Sequence, residues 1–262
     1  MSGSDLSSVL LKIESGIAHL TVNRPEAMNA IHVPMADAFL AQCQAIAQDP
    51  SVRVVVLRGA GKAFGVGGDL ATLQTDSVNS ANALISRLHE AVLILAHLNA
   101  PVIASLHGVV AGGSLSLSSA CDLAIAAEGT RFNLAYANVA ASCDVSASWS
   151  LPRLVGLRNA LQMALLSDTF DAQEALRLGL VNRVVPAEAL EAEVSALANR
   201  LAQGPTLAYG KLKRLMRESF QNTLEAQLEA ERTQFMASAQ TADFKEALDA
   251  FLSKRKPNFK GE

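Results

Sequence analysis

Three short apolar runs, at residues 52–57, 102–106 and 123–127, limit what this chain can fold into more than any other feature. They are nearly continuous in apolar character, as expected of strands buried on both faces. Helical stretches separate them: between the first two, Leu84, Ile85, Leu88, Val92 and Leu95 fall at helical spacing and Ala100-Pro101 ends the segment. An α/β body is predicted. Alternation over residues 9–13 and 17–22, joined by Ser15-Gly16, predicts an opening hairpin that ends at Asn23-Arg24-Pro25, followed by a helix over residues 34–48. After residues 181–185 and Pro186 the strand signals stop, and helices are expected over residues 187–201, 206–219, 224–235 and 244–254. The chain therefore divides into a core, residues 1–195, and a helical region, residues 196–262, of the kind that caps or assembles.

Two glycine-rich turns each follow a strand run: Phe64-Gly65-Val66-Gly67-Gly68-Asp69 and His107-Gly108-Val109-Val110-Ala111-Gly112-Gly113. Glycine lets the backbone approach a ligand closely, and an N–H fixed in advance stabilises developing charge without reorganisation. Together the turns are equipped to aim two N–H groups at one oxygen of an enolate or oxyanion. The second turn also opens a helix expected over residues 114–120, whose first turn favours negative charge. Other glycine motifs fail at single positions. Gly59-Ala60-Gly61-Lys62 lacks the opening glycine of a phosphate loop, at Val56, and has Ala63 where a magnesium-binding hydroxyl belongs. Gly65-Val66-Gly67-Gly68 lacks the third dinucleotide-binding glycine, and Gly112-Gly113-Ser114-Leu115-Ser116 lacks the closing glycine of a nucleophile elbow.

A formal net charge of -3 and a pI near 6.0 give no electrostatic reason to expect nucleic acid or an anionic membrane as partner. Cys43, Cys121 and Cys143 show no metal-ligand spacing, nor do His19, His32, His97 and His107, so a reducing compartment and no metal site are expected. Met1-Ser2-Gly3-Ser4-Asp5 lacks a signal-peptide pattern and no apolar run reaches membrane-spanning length, which predicts a cytoplasmic protein. Hydrophobic residues make up 50% of the chain and charged ones 18%, an apolar excess that burial between subunits would explain.

Asn23-Arg24-Pro25-Glu26-Ala27-Met28-Asn29-Ala30 resembles the early signature of the crotonase, or enoyl-CoA hydratase/isomerase, superfamily. Leu57-Arg58-Gly59 through Asp69-Leu70 and Pro101-Val102-Ile103-Ala104 through Gly112-Gly113 resemble its two oxyanion loops. Leu151-Pro152-Arg153-Leu154-Val155-Gly156 and the ending Phe251-Leu252-Ser253-Lys254-Arg255-Lys256-Pro257 continue the match in order. The resemblance implies a spiral of repeated ββα units with an α-helical C-terminal region, a homotrimer often paired into a hexamer, and an acyl-CoA thioester substrate. By position Gly68 and Gly113 would supply the two amides, and Asp69, Leu70 and Ala71 would line the substrate. Phe251 and Lys254 match residues that reach towards the CoA nucleotide, beside their plainer reading as surface and packing residues.

Each amide donor is worth ~10²–10³ in rate and a positioned base ~10²–10⁴, so this chemistry requires no cofactor beyond the coenzyme A of the substrate. Hydratases of the family use two glutamates, and the matching positions hold Ser116 and Tyr136. That departure counts against hydration. Asp144, in a stretch of apolar and small residues, matches the aspartate of the family's enoyl-CoA isomerases, and burial there would raise its pKa into useful acid/base range. The Gly-Gly that follows in those enzymes is replaced by Ser146 and Ala147, and Asp144 also reads as an N-cap for a helix at Leu151.

Three alternatives stand beside isomerisation. Chlorobenzoyl-CoA dehalogenases of the same superfamily use an aspartate nucleophile at the position of Asp144, a histidine base at His89 and an aromatic residue at Tyr136. His89 borders the apolar stripe of its helix, but Gly68 replaces their bulky aromatic loop residue, and aromatic content is only 5%. Residual hydratase activity and a non-catalytic acyl-CoA binding or assembly protein complete the set.

Overall fold

The buried runs form the middle of one sheet. A computed structural model describes residues 8–262; residues 1–5, read above for a targeting pattern, lie outside the described residues. In chain order the strands are β1 (Val9–Glu14), β2 (Ile17–Val22), β3 (Val54–Gly59), β4 (Val102–Leu106), β5 (Val109–Ala111), β6 (Leu123–Ala127), β7 (Arg131–Asn133), β8 (Phe170–Asp171) and β9 (Arg183–Val185). The helices are α1 (Val33–Gln48), α2 (Leu70–Thr75), α3 (Ser77–His97), α4 (Gly113–Ser119), α5 (Ala147–Val155), α6 (Leu157–Leu166), α7 (Ala172–Leu178), α8 (Leu190–Ala202), α9 (Thr206–Glu218), α10 (Leu224–Ala239) and α11 (Ala242–Leu252).

The main sheet runs β1-β2-β3-β4-β6-β9, antiparallel only across the opening hairpin. Its two faces are set by strand alternation: Val55 and Leu57 point into the larger core beneath α1 and α3, while Val54 and Val56 point the other way, against Leu190, Val194 and Ala198 of α8. Helices on both faces explain why these strands read as unbroken apolar runs. The division expected at residue 195 falls inside α8, a helix that belongs to the sheet through Ala198.

A second, smaller sheet, β5-β7-β8, builds the ββα repeat. The units β4-β5-α4 and β6-β7-α5 each pass from a long strand to a short one and then to a helix. Two isolated parallel bridges, Ile31 with Gly68 and Gly65 with Val110, continue the small ladder into the first glycine-rich turn. The turn thus stands where a short second strand would.

Charged contacts hold the tail to the body of the fold. Asp122 pairs with Lys213 Nζ at 2.7 Å and with Arg217 Nη2 at 2.9 Å, and Arg217 also donates to the carbonyls of Ala96 and Ala120 at 3.1 Å. Helix α10 buries no side chain in the single chain, and Leu224, Leu228, Phe235 and Met236 remain exposed on it. Among the described residues, no helix is long and apolar enough to cross a membrane.

Candidate active site

The early Asn-Arg-Pro segment clamps the first glycine-rich turn. Asn29, fully buried, donates from Nδ2 to the carbonyls of Ala60 at 2.9 Å and Ala63 at 2.8 Å, while its Oδ1 accepts from the Arg24 N–H at 2.8 Å. Arg24 Nη1 then reaches Asp69 Oδ2 at 2.6 Å and the Ala30 carbonyl at 3.1 Å. The Arg24 guanidinium holds the Asp69 carboxyl below the usual carboxylate range. Asp69 is thereby committed as an ion-paired cap, accepting also from the Ala71 N–H at 3.1 Å.

The second turn is zipped onto the first. Gly65 N–H donates to Val109 O at 3.1 Å and Ala111 N–H to Gly65 O at 2.9 Å, and Gly67 N–H donates to Ser114 Oγ at 3.1 Å. Ile31 N–H donates to Gly67 O at 2.7 Å. In a trans peptide the C=O and the following N–H point opposite ways, so the Gly68 N–H turns away from Ile31. By the same rule, Gly112 O accepts from Ser116 N–H at 3.1 Å inside α4, and the Gly113 N–H therefore points out of the helix start.

Gly67 has to be glycine. Its φ is +92°, and a Cβ there would lie 2.8 Å from the Gly113 nitrogen, capping the donor it helps to place.

Gly68, Gly113, Asp69, Leu70, Tyr136 and Asp144 line one cavity of about 640 Å³, with Leu84, Ile85 and Leu88 of α3 forming its apolar wall. A Cβ on Gly113 would stand 3.7 Å from the Tyr136 hydroxyl and 3.8 Å from Asp144 Oδ1, so the expected amide and the expected acid share one corner. Four sequence candidates lie outside this lining. Ala71 sits one residue beyond it in α2, and Phe251 and Lys254 are exposed at the end of α11. His89 is exposed on α3, and its Nε2 accepts from the Val145 N–H at 3.1 Å.

The Tyr136 hydroxyl donates to Asp144 Oδ1, and Ser116 Oγ stands 3.0 Å from the same hydroxyl. The two positions that lack glutamates thus form a hydroxyl chain ending on the aspartate. Burial pushes the Asp144 pKa up, and the Tyr136 hydrogen bond partly offsets this by favouring the carboxylate. A positive charge on His89 would also pull it down, but the Nε2 that accepts from Val145 carries no proton. Burial, then the Asp144 charge, raises the Tyr136 phenol well above its ordinary value, so Tyr136 acts as a donor and not as a base.

The capping alternative for Asp144 fails. Helix α5 begins at Ala147 rather than Leu151, its N-cap position is Ser146, and no side chain caps it. Sequence reasoning gave Asn29, Arg24 and Ser114 no role in the site; their signal was only that polar residues flank glycine turns, and the bonds they make span up to 47 residues.

The small mixed sheet and the interlocked glycine turns set two glycines, Gly68 and Gly113, in the wall of one apolar cavity. The chain belongs to the enoyl-CoA hydratase/isomerase family, whose family model matches residues 12–262. It is 34% identical over 259 residues to 1,2-epoxyphenylacetyl-CoA isomerase of Escherichia coli (strain K12), covering 97% of this chain and 98% of that protein. It is 32% identical over 258 residues to 4-chlorobenzoyl coenzyme A dehalogenase-2 of Arthrobacter sp, covering 97% and 94%. The solved structure of an enoyl-CoA hydratase from Polaromonas sp. JS666 superposes with a TM-score of 0.91 at 31% identity, covering 96% of this chain and 99% of that one. These relatives carry three different reactions in their names, so likeness fixes the family and leaves the reaction to the residues of the site.

Proposed function

We propose that the chain is an enoyl-CoA isomerase in which Gly68 and Gly113 hold the thioester oxygen and Asp144 moves the proton. The observation that carries this reading is that the cavity wall presents two carboxylates, of which Asp69 is ion-paired to Arg24 and Asp144 is not. Removal of a proton from C2 of a 3-enoyl thioester by Asp144 sends the electron pair through the carbonyl to the oxygen held by the two amides. Return of the proton from Asp144 to C4 places the double bond between C2 and C3. One carboxylate completes that cycle, because no atom is gained or lost. Hydration differs: it needs one group to activate water and a proton donor for the carbon, and Ser116 and Tyr136 supply hydroxyls where the family's hydratases have glutamates.

Dehalogenation would ask His89 to activate water with a ring nitrogen, and its Nε2 is already engaged as an acceptor outside the cavity lining. That engagement supports ranking isomerisation first. The exposed apolar residues of α10 and α11 support assembly into a homotrimer or a dimer of trimers, in which Phe251 and Lys254 would meet the CoA moiety across a subunit boundary.

The test is a panel of enoyl-, aryl- and haloaryl-CoA thioesters, with double-bond position, hydroxyacyl product and halide followed together for the wild type and Asp144→Asn. Isomerisation of a 3-enoyl-CoA by the wild type, reduced about 10²–10⁴-fold in the variant with thioester binding retained, is the expected result. Halide release would favour the dehalogenase, and hydroxyacyl-CoA at an ordinary rate would favour the hydratase. Equal behaviour of both proteins, without turnover, would favour a binding protein.

A further inference from the structure

The wall that carries Asp144 is held in a conformation its own residues disfavour. Among the described residues nine non-glycine residues have positive φ, and four of them, Ala135, Ala140, Val145 and Ser146, fall in this single stretch. The two that follow Asp144 are consecutive: Val145 at +49° and Ser146 at +73°. A β-branched residue in the left-handed region is a steric outlier that persists only where its surroundings over-determine it. One restraint is burial, since the Val145 side chain is only 1% exposed. The other comes from α3, where His89 Nε2 accepts the Val145 N–H at 3.1 Å. That bond joins residues 56 apart in sequence, from the helix that lines the cavity to the turn that aims the acid.

We infer that His89 is a positioning residue: its unprotonated Nε2 pins the left-handed Val145-Ser146 turn and so sets the direction of the Asp144 carboxylate. A backbone N–H can only donate, so its partner must offer a lone pair, and the ring proton is left on Nδ1. The function of the bond is to fix φ at Val145, where the chain has a valine rather than a glycine. Without the acceptor the turn relaxes towards negative φ, and the Asp144 carboxylate swings relative to Gly113. The catalytic consequence rests on the isomerase reading above; the pinning itself does not.

Two measurements separate those claims. Nitrogen NMR of the wild type is expected to find His89 as the Nδ1–H tautomer, and amide exchange at Val145 is expected to accelerate at least tenfold in His89→Leu but not in His89→Gln, whose Oε1 can accept the same N–H. An Nε2–H tautomer, or equal Val145 exchange in the wild type and His89→Leu, overturns the pinning. In the isomerase assay, kcat of His89→Leu falls about tenfold to a hundredfold with KM nearly unchanged, the scale of a misplaced catalytic group. His89→Gln restores most of that loss, and adding Ser146→Gly to His89→Leu restores part of it by relieving the turn. A Gln variant as poor as Leu would instead make the imidazole itself essential and overturn the positioning role. If the wild type isomerises nothing, the isomerase reading falls while the tautomer and exchange data still decide the pinning.

Discussion

The Tyr136 hydroxyl donates to the Asp144 carboxylate from inside the cavity wall, eight residues upstream of it. Tyrosine here stabilises the ionised form of an acid that burial pushes towards protonation. The acid is thereby held between the weak base that a fully solvated carboxylate would be and a neutral carboxyl that could take no proton.

Tyr136→Phe should therefore raise the Asp144 pKa, since it removes a hydrogen bond that favours the carboxylate and leaves the burial. A base works only when ionised, so the acid limb of the isomerisation pH–rate profile should move to higher pH, with the rate on the plateau less affected. An unmoved acid limb would show that the hydroxyl does not bear on the titrating group.

Stability should report the same group with the opposite benefit. A folded-state pKa above the unfolded value means that the folded chain binds the proton more tightly, so the stability associated with Asp144 is full below its unfolded pKa and is lost as pH rises through the raised one. Asp144→Asn should melt higher than the wild type near neutral pH, and the gap should close in acid. Melting temperatures of both proteins across that range check the sign.

Gly67→Ala tests the close approach of the two turns. The new Cβ meets the Gly113 nitrogen at 2.8 Å and forces a left-handed φ on alanine, so a stability loss of about 1–3 kcal/mol and a rate loss of ~10²–10³ are expected. Gly129→Ala is the control: φ is +81° with nothing within 4 Å, and it should lose stability while keeping its rate.

These contacts mark where sequence reading stops. The long strands were legible because valine, isoleucine and leucine runs have few other uses, and the place of Gly68 and Gly113 in the cavity wall because glycine after a strand lets the backbone approach closely. The start of α5 was not legible: Ser146, Ala147 and Ser148 carry no apolar period, and Pro152, which sits inside the helix, reads as its opening. Nor were α2, β7 and β8, which are six, three and two residues long; β7 and β8 take their conformation from the ladder they share. The partners of Asp144 and Val145 depend on which segments the spiral brings side by side. Local spacing holds no record of that.

Asp122→Asn should loosen the tail. Its carboxylate is the shared partner of Lys213 and Arg217, with Lys213 9% exposed, and removing it leaves a buried ammonium unpaired. Breaking such a pair costs about 3–5 kcal/mol. Urea unfolding should register a loss of that order, whereas a change below about 1 kcal/mol would place the pair with ordinary surface bridges.

The most direct test is a crystal structure of the chain with an unreactive acyl-CoA thioester. The account predicts the Gly68 and Gly113 nitrogens both at about 2.7–3.1 Å from the thioester oxygen, with the Asp144 carboxylate facing C2. A thioester oxygen bound by one amide or neither, or an acyl chain turned away from Asp144, would contradict it.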